Sequence, residues 1–310
     1  MKRVFCLFLC LCLLLCGCSA NSRPVQETCF SMNTVMDLTL WGGSSESVLP
    51  SIKKLLSALE DTWSVTREDS LLSRINRGET VELGEKDAFL LSRIEALSRR
   101  TGGAFDPKLY ALSKAWGFYN EEHRVPSADE IAAALQQSQW DLGGVLKGYA
   151  GYLCASLLAG TDVDRAMLVL GGNVQTYGEK SDGTPWQIGI QNPNGGDNLG
   201  IISVSGTMAV VTSGDYQRYF VEDGIKYHHI LDPETGYPAD SGLTSVTVIC
   251  RDGMTADALS TALFVMGPEK GAQFWRDSDD FEAVFVTTDG KLYATEGVRL
   301  SGCQFEVITR

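Results

Sequence analysis

The stretch MAVVTSGDYQRYFVEDGIKYHHILDPETGYP, from Met208 to Pro238, decides the fold. It predicts a β-hairpin, with an apolar strand, a polar turn at Thr212–Asp215, and a second strand that ends before Asp223-Gly224, a dipeptide typical of tight hairpin turns. The return strand carries two of the three histidines of the chain and ends in a carboxylate-rich turn. We therefore expect hydroxyl, imidazole and carboxylate groups to lie close together, although an ordinary surface hairpin fits the same pattern.

The composition is that of a globular protein. The chain has 310 residues, 44% hydrophobic and 21% charged, enough for one large domain or two coupled ones. Its formal net charge of −13 argues against nucleic acid as a partner, because phosphate binding requires a basic surface. Predicted strands come in adjacent pairs with helices between them, which favours an α+β fold with largely antiparallel sheets over a doubly wound one.

Two helices are predicted from local signals. Val48 to Trp63 has apolar residues at helical spacing. Ser127 and Glu130 have the spacing of a capping box, which starts a helix expected to run to about Gln139.

The first residues resemble a bacterial lipoprotein signal peptide. A basic start is followed by an apolar segment too short to span a bilayer, and Leu15-Cys16-Gly17-Cys18 resembles a lipobox. The resemblance implies cleavage before Cys18 and lipid on its sulfur, which would anchor the chain to the bacterial cell membrane on the extracytoplasmic side. We expect residues 1–17 to be the signal peptide, 18–28 a tether and 29–310 one folded domain. An ordinary signal peptide or an uncleaved anchor would also fit.

The cysteines beyond the signal segment show no metal-ligand spacing. They are predicted to be free thiols, and one disulfide is left open because the chain is expected outside the cytoplasm. They are Cys29, Cys154, Cys250 and Cys303.

A pair of oxygen-bearing side chains suggests a cation site. Asp257 and Thr261 lie four residues apart on a helix predicted over Ala256–Met266, so they share one face. A carboxylate and a hydroxyl stacked in this way suit a hard divalent cation. They would equally fit an Asp that favours a helix start and a solvent-facing Thr.

Paired glycines at 102–103, 143–144 and 171–172 would let the backbone approach a ligand closely. None of these turns has the pattern of a P-loop or a dinucleotide fingerprint. Taken singly, each of them is also compatible with an ordinary turn.

Six motifs, taken together, resemble the ApbE-type FAD:protein FMN transferases. They are AFDP…WGF, DLGGVLKGY, LGGN, TSGDY, HHILDPETG and ADALSTALFVMG. The resemblance runs from about Cys29 to the C-terminus, and Met32-Asn33-Thr34 matches the M-G-T start of that family with Asn in place of Gly. It implies two lobes that form a flavin-binding cleft, Mg²⁺ on the diphosphate of FAD, and transfer of FMN onto a Thr hydroxyl of an acceptor protein with release of AMP.

The resemblance also implies roles for individual residues. The metal ligands would be the main-chain carbonyl of Gly144 and the side chains of Asp257 and Thr261. Catalysis would fall to His229, together with Asp257. The FAD contacts would be Met32, Ala104, Phe105, Asp106, Asp141, Lys147 and Ile230.

Further implications of the resemblance concern the acceptor and the flavin ring. The acceptor would be a redox subunit of Rnf or Na⁺-translocating NADH:quinone reductase type, or an extracytoplasmic flavoprotein. Thr66 departs from the family, because many members carry near it a Tyr that could stack on the flavin. That stacking is either lost here or supplied by Trp63.

The residue chemistry agrees with this interpretation. Cleavage of a diphosphate is aided by a cation that neutralises charge at the phosphoryl oxygens. An imidazole suits deprotonation of the acceptor hydroxyl, and on a strand His228, the alternative base, would face away from His229. Two other functions stay open, namely a Mg²⁺-dependent FAD pyrophosphatase that yields FMN and AMP, and a flavin-binding lipoprotein without chemistry.

Overall fold

A nine-stranded sheet forms the centre of the structure, which is a computed structural model that describes residues 23–119 and 122–310. Its neighbouring strands are antiparallel except for the last pair. In spatial order they are β1 (Val25–Ser31), β2 (Thr34–Gly42), β3 (Val163–Leu170), β4 (Asn173–Tyr177), β7 (Ala209–Gly214), β10 (Leu243–Cys250), β11 (Phe281–Thr287), β12 (Leu292–Thr295) and β14 (Glu306–Ile308).

Smaller sheets complete the β-structure. β5 (Trp186–Ile190), β6 (Gly200–Val204) and β13 (Leu300–Ser301) form a three-stranded sheet. Its apolar face packs with buried residues of β7, β10 and β11. β8 (Tyr219–Glu222) and β9 (Ile225–His228) form a separate hairpin.

Helices cover the opposite face of the central sheet. The helices of the described residues are α1 (Ser45–Trp63), α2 (Leu71–Asn76), α3 (Glu85–Arg100), α4 (Tyr110–Ala115), α5 (Ala128–Leu135), α6 (Leu146–Leu158) and α7 (Gly253–Arg276). Met36, Leu38 and Leu40 alternate along β2 and are fully buried, because the side chains of a strand point to opposite faces by turns. They share one core with α1, α3, α6 and the first half of α7. The predicted α+β fold with largely antiparallel sheets is confirmed.

Helices α6 and α7 cross with their backbones in direct contact. A Cβ on Gly148 would lie 2.0 Å from the carbonyl oxygen of Gly253, and a Cβ on Gly253 would lie 2.4 Å from the carbonyl oxygen of Gly148. Only glycine leaves room for this crossing. It brings the loop that precedes α6 against the first turns of α7.

A second cluster joins the hairpin β8–β9 to α4 and α5. Trp116 is fully buried there, and its indole N–H donates to the carbonyl of Gly236 at 2.9 Å. Gly236 has φ 75°, and a Cβ on it would lie 2.4 Å from Ile131. The Asp232–Gly236 turn therefore packs on these helices, whereas the sequence predicted that it would join the hydroxyl and imidazole groups.

The predicted turn at Thr212–Asp215 is wrong. Residues 212–214 continue β7, which pairs with β4 on one side and β10 on the other. Residues 212–214 themselves pair with β10, and these hydrogen bonds outweigh the local turn preference of a Gly-Asp pair. The turn predicted at Asp223-Gly224 is present, with φ 51° and 77°.

Three predicted boundaries also differ. β1 begins at Val25, so residues 25–28 belong to the sheet although a tether was expected to reach residue 28. The helix expected to reach Gln139 ends at Leu135. The helix that carries Asp257 turns at Gly267 (φ 79°), near its predicted end, and a second helical segment continues to Arg276.

The predicted signal peptide and lipobox lie outside the described residues. Within residues 23–119 and 122–310, no helix has both the length and the apolar character needed to cross a membrane. The four cysteines of this part of the chain are free thiols, and burial raises the pKa of Cys154 to about 12.

Candidate active site

A cavity of about 460 Å³ lies between the central sheet and the α4–α5 cluster, and it gathers every site residue that the sequence suggested. Its volume is within the range usual for small-molecule sites. The suggested residues that line it are Met32, Ala104, Phe105, Asp106, Asp141, Gly144, Lys147, His229, Ile230, Asp257 and Thr261. They come from the β1–β2 turn, the loops before α4 and α6, the first turn of α6, the first half of α7, and the segment after β9.

The three suggested metal ligands lie near the α6–α7 crossing. Asp257 is only 4% exposed, and its Oδ2 accepts a hydrogen bond from the backbone N–H of Gly148 at 2.8 Å. Burial raises the pKa of this carboxyl, while the charge of Lys147 acts in the opposite direction. A Cβ placed on Gly144 would lie 3.5 Å from the Thr261 hydroxyl, so the glycine loop faces the Asp257–Thr261 side of α7.

This donor set suits a hard cation. It offers a carboxylate, a hydroxyl and a main-chain carbonyl, and all three ligands are oxygens, as Mg²⁺ prefers. A buried carboxylate with a raised pKa gains free energy from a nearby cation. Within the described part of the chain there is no group of three or more His, Cys, Asp or Glu that could hold a metal.

His229 directly follows β9 and presents its imidazole to the cavity. Its Nδ1 lies 3.1 Å from the carbonyl oxygen of Arg218, which can only accept, so Nδ1 carries the proton and Nε2 keeps a lone pair. The backbone N–H of His229 donates to the same carbonyl at 3.1 Å. Burial, together with the charge of Arg218, lowers the pKa of His229 to about 3, so the ring is neutral at pH 7.

His228 does not line this cavity. It is 8% exposed, its ring packs edge-on against Phe264, and its Nε2 lies 3.2 Å from the carbonyl oxygen of Ala239. The two histidines therefore face different surroundings, as strand alternation predicted, although His229 lies one residue beyond the strand.

Tyr119 was missed by the sequence analysis. Its hydroxyl contacts both carboxylate oxygens of Asp141, at 2.7 and 2.6 Å, and donates its proton between them. Burial and the charge of Asp141 raise the pKa of Tyr119 well above its ordinary value, so the phenol stays protonated. The only signal in the sequence was its place directly after the W-G-F motif.

Arg218 was also missed. Its guanidinium donates to the carbonyl of Phe118 and lies 5.6 Å from the centre of the Tyr119 ring. It lines the same cavity as His229, whose imidazole is held by the carbonyl of Arg218. Its place within the hairpin stretch that decides the fold could have drawn attention to it.

A second cavity of about 470 Å³ adjoins the first and is lined by Trp63 and Thr66. Trp63 is only 3% exposed because its ring belongs to the core, which leaves little surface for stacking on a flavin. Tyr119 lines both cavities and offers the more accessible ring.

The chain is similar to proteins of one family. Its residues 32–285 match the family model described as the ApbE family. It is 34% identical to a FAD:protein FMN transferase of Klebsiella pneumoniae, over 91% of this chain and 95% of that one. A FAD:protein FMN transferase of Treponema pallidum is 29% identical, over 91% of this chain and 90% of that one.

Solved structures show the same similarity. The ApbE protein of Thermotoga maritima superposes with a TM-score of 0.81 at 34% identity, over 88% of this chain and 97% of that one. The flavin transferase ApbE of Vibrio cholerae gives a TM-score of 0.78 at 29% identity, over 89% and 98%.

Proposed function

The chain belongs to the ApbE family, and we propose that it is a FAD:protein FMN transferase that uses Mg²⁺ to move FMN from FAD onto a threonine hydroxyl of an acceptor protein. One observation carries this proposal. The lone pair of the His229 imidazole and the Asp257–Thr261 pair, which come from separate parts of the chain, line one cavity.

Asp257, Thr261 and the carbonyl of Gly144 would hold the Mg²⁺ ion. When bound, the ion supplies positive charge against the phosphoryl oxygens of FAD. Lys147 adds a fixed positive charge on the same side, since its ammonium group donates to the carbonyl of Gly143 at 3.2 Å and its charge reaches Asp257. Two positive charges there allow an acidic protein to bind a diphosphate.

His229 would act as the general base. The acceptor threonine Oγ attacks the phosphorus of the FMN half, and its proton passes to Nε2 of His229. The bond from that phosphorus to the bridging oxygen breaks, and AMP leaves with the electron pair. A pKa of about 3 makes the free imidazole a weak base, but a bound diphosphate would raise that pKa by its negative charge.

The test is incubation of the protein with FAD, Mg²⁺ and a threonine-containing acceptor. A fluorescent acceptor band that survives denaturation, together with AMP, supports transfer. AMP with free FMN and no labelled acceptor would identify a pyrophosphatase, and binding of FAD without turnover would identify a non-catalytic binder. Either of the latter two results contradicts the proposal.

The base is tested by His229→Gln, with His228→Gln as the matched control. Loss of a general base typically lowers the rate by a factor of roughly 10²–10⁴ with little effect on ground-state binding. We expect this loss only for His229→Gln. A rate loss confined to His228→Gln would show that His228, and not His229, is the base.

We also propose that the protein acts outside the cytoplasm, anchored to the membrane by lipid on Cys18. The support is the lipobox-like Leu15-Cys16-Gly17-Cys18 sequence. Its acceptors would then be membrane redox subunits of Rnf or Na⁺-translocating NADH:quinone reductase type, or extracytoplasmic flavoproteins. A Cys18→Ala variant that fractionates and migrates like the wild type would refute the anchor.

A further inference from the structure

Positive charge is confined to one place in the two adjoining cavities. Of the described residues that line either cavity, only Lys147 and Arg218 carry a basic side chain, and each of them lines both. They therefore lie at the junction of the two cavities. A dinucleotide that extends from one cavity into the other would pass this junction at its middle, which is its diphosphate.

The two basic residues are fixed to different parts of the site. Lys147 lies at the start of α6, beside Asp257. Arg218 lies between β7 and β8, its guanidinium contacts the carbonyl of Phe118, and the Phe118 ring lies 6.4 Å from the His229 ring. Each phosphate of a diphosphate at the junction would thus have its own cation, and the phosphate on the Arg218 side would be the one close to His229.

The guanidinium of Arg218 is free to change partners. The residue is exposed, and no carboxylate of the described residues forms an ion pair with it. Its contact is the neutral carbonyl of Phe118, with the Tyr119 ring beneath. A phosphate would be a stronger partner, because charged and bidentate hydrogen bonds are roughly twice as strong as neutral ones.

We propose that Arg218 binds the phosphate that lies beside His229, at the junction of the two cavities. This deepens the proposed function and rests on FAD as the substrate. Exchange of the Phe118 carbonyl for a phosphate oxygen would place the guanidinium at the phosphorus that is attacked. Arg218 would then contribute to substrate binding and stabilise the negative charge that develops on that phosphate.

The experiment compares Arg218→Gln and Arg218→Lys with the wild type. The matched control is Arg99→Gln, because the Arg99 side chain is 70% exposed and lies outside both cavities. Affinities for FAD, ADP and riboflavin are measured with EDTA present, so that no effect passes through the metal, and each melting temperature is recorded.

We expect Arg218→Gln to weaken FAD and ADP about 10- to 100-fold, the usual effect of one lost charge-assisted hydrogen bond, and to leave riboflavin unchanged. Arg218→Lys should fall between, because it keeps the charge and loses the planar fork. Unchanged affinity for FAD and ADP overturns the assignment. An equal loss of affinity for riboflavin, or a lowered melting temperature, also overturns it. Arg218 would then only stabilise the positions of Phe118 and Tyr119.

The same measurements distinguish failure of the phosphate site from failure of the proposed transferase function. If the wild type never labels an acceptor while Arg218→Gln still loses ADP selectively, the transferase proposal fails and the phosphate site stands. If the wild type labels the acceptor and Arg218→Gln binds every probe normally, the phosphate site fails and the transferase proposal stands.

Discussion

Replacement of Gly148 by alanine tests whether the α6–α7 crossing sets the geometry of the cation site. The new Cβ would lie 2.0 Å from the carbonyl oxygen of Gly253 and 2.7 Å from the Cβ of Asp257. Ordinary van der Waals contact begins at 3.4 Å, so the two helices must separate by 3.4 − 2.0 = 1.4 Å at this point. Because Asp257 and Thr261 lie on α7, they would move away from the loop that carries Gly144.

The expected magnitudes follow from this displacement. Overpacking costs up to about 3 kcal/mol, and the higher helix propensity of alanine returns about 1 kcal/mol. The net loss of unfolding free energy is therefore about 2 kcal/mol, which lowers the melting temperature by about 4 °C. A displacement of this size at a reacting centre can lower the rate about 100-fold.

The assay measures melting temperature, the Mg²⁺ concentration for half-maximal activity, and the FMN transfer rate. Gly160→Ala is the control, because a Cβ there meets nothing closer than 3.7 Å. We expect Gly148→Ala to need more Mg²⁺ and to react slowly even when Mg²⁺ is saturating. A Gly148→Ala protein with wild-type stability and Mg²⁺ dependence would refute the reasoning.

Two further predictions concern charge. Asp257→Asn should raise the melting temperature of the metal-free protein, because it removes a buried carboxylate whose pKa is raised, and should abolish the stabilisation by added Mg²⁺; a variant that Mg²⁺ still stabilises would contradict the ligand assignment. His229 has its pKa lowered to about 3, so the unfolded chain binds its proton first and stability falls as pH drops from about 6.5 towards 3. His229→Gln should therefore lose less stability than the wild type over this window in pH-dependent melting; an unchanged slope would show that the imidazole is not buried.

The sequence predicted best where local and long-range signals agree. The helix predicted from Val48 to Trp63, which runs from Ser45 to Trp63, and the turn at Asp223-Gly224 are examples, because apolar periodicity and turn residues favour one structure there. The residues that the family resemblance implied for the site also line one cavity, although their motifs lie far apart in the sequence.

What the sequence could not predict depends on tertiary contacts. The local sequence of residues 212–214 favours a turn, and only pairing with the distant strand β10 makes them part of a strand. The role of Tyr119 depends on its contact with Asp141, and the role of Arg218 depends on its contact with Phe118. Neither contact can be inferred from the spacing of residues in the sequence. Side-chain contacts of this kind form only when distant parts of the chain pack together.

The turn between β1 and β2 shows that a residue unfavourable for folding can be useful in the cavity. Asn33 adopts φ 58°, a left-handed conformation that glycine adopts at the lowest free energy. Asn33 lines both cavities, where glycine would offer no side-chain hydrogen-bonding group. The tip of this hairpin thus gives up a small amount of folding free energy and gains an amide that can donate to or accept from whatever occupies the cleft.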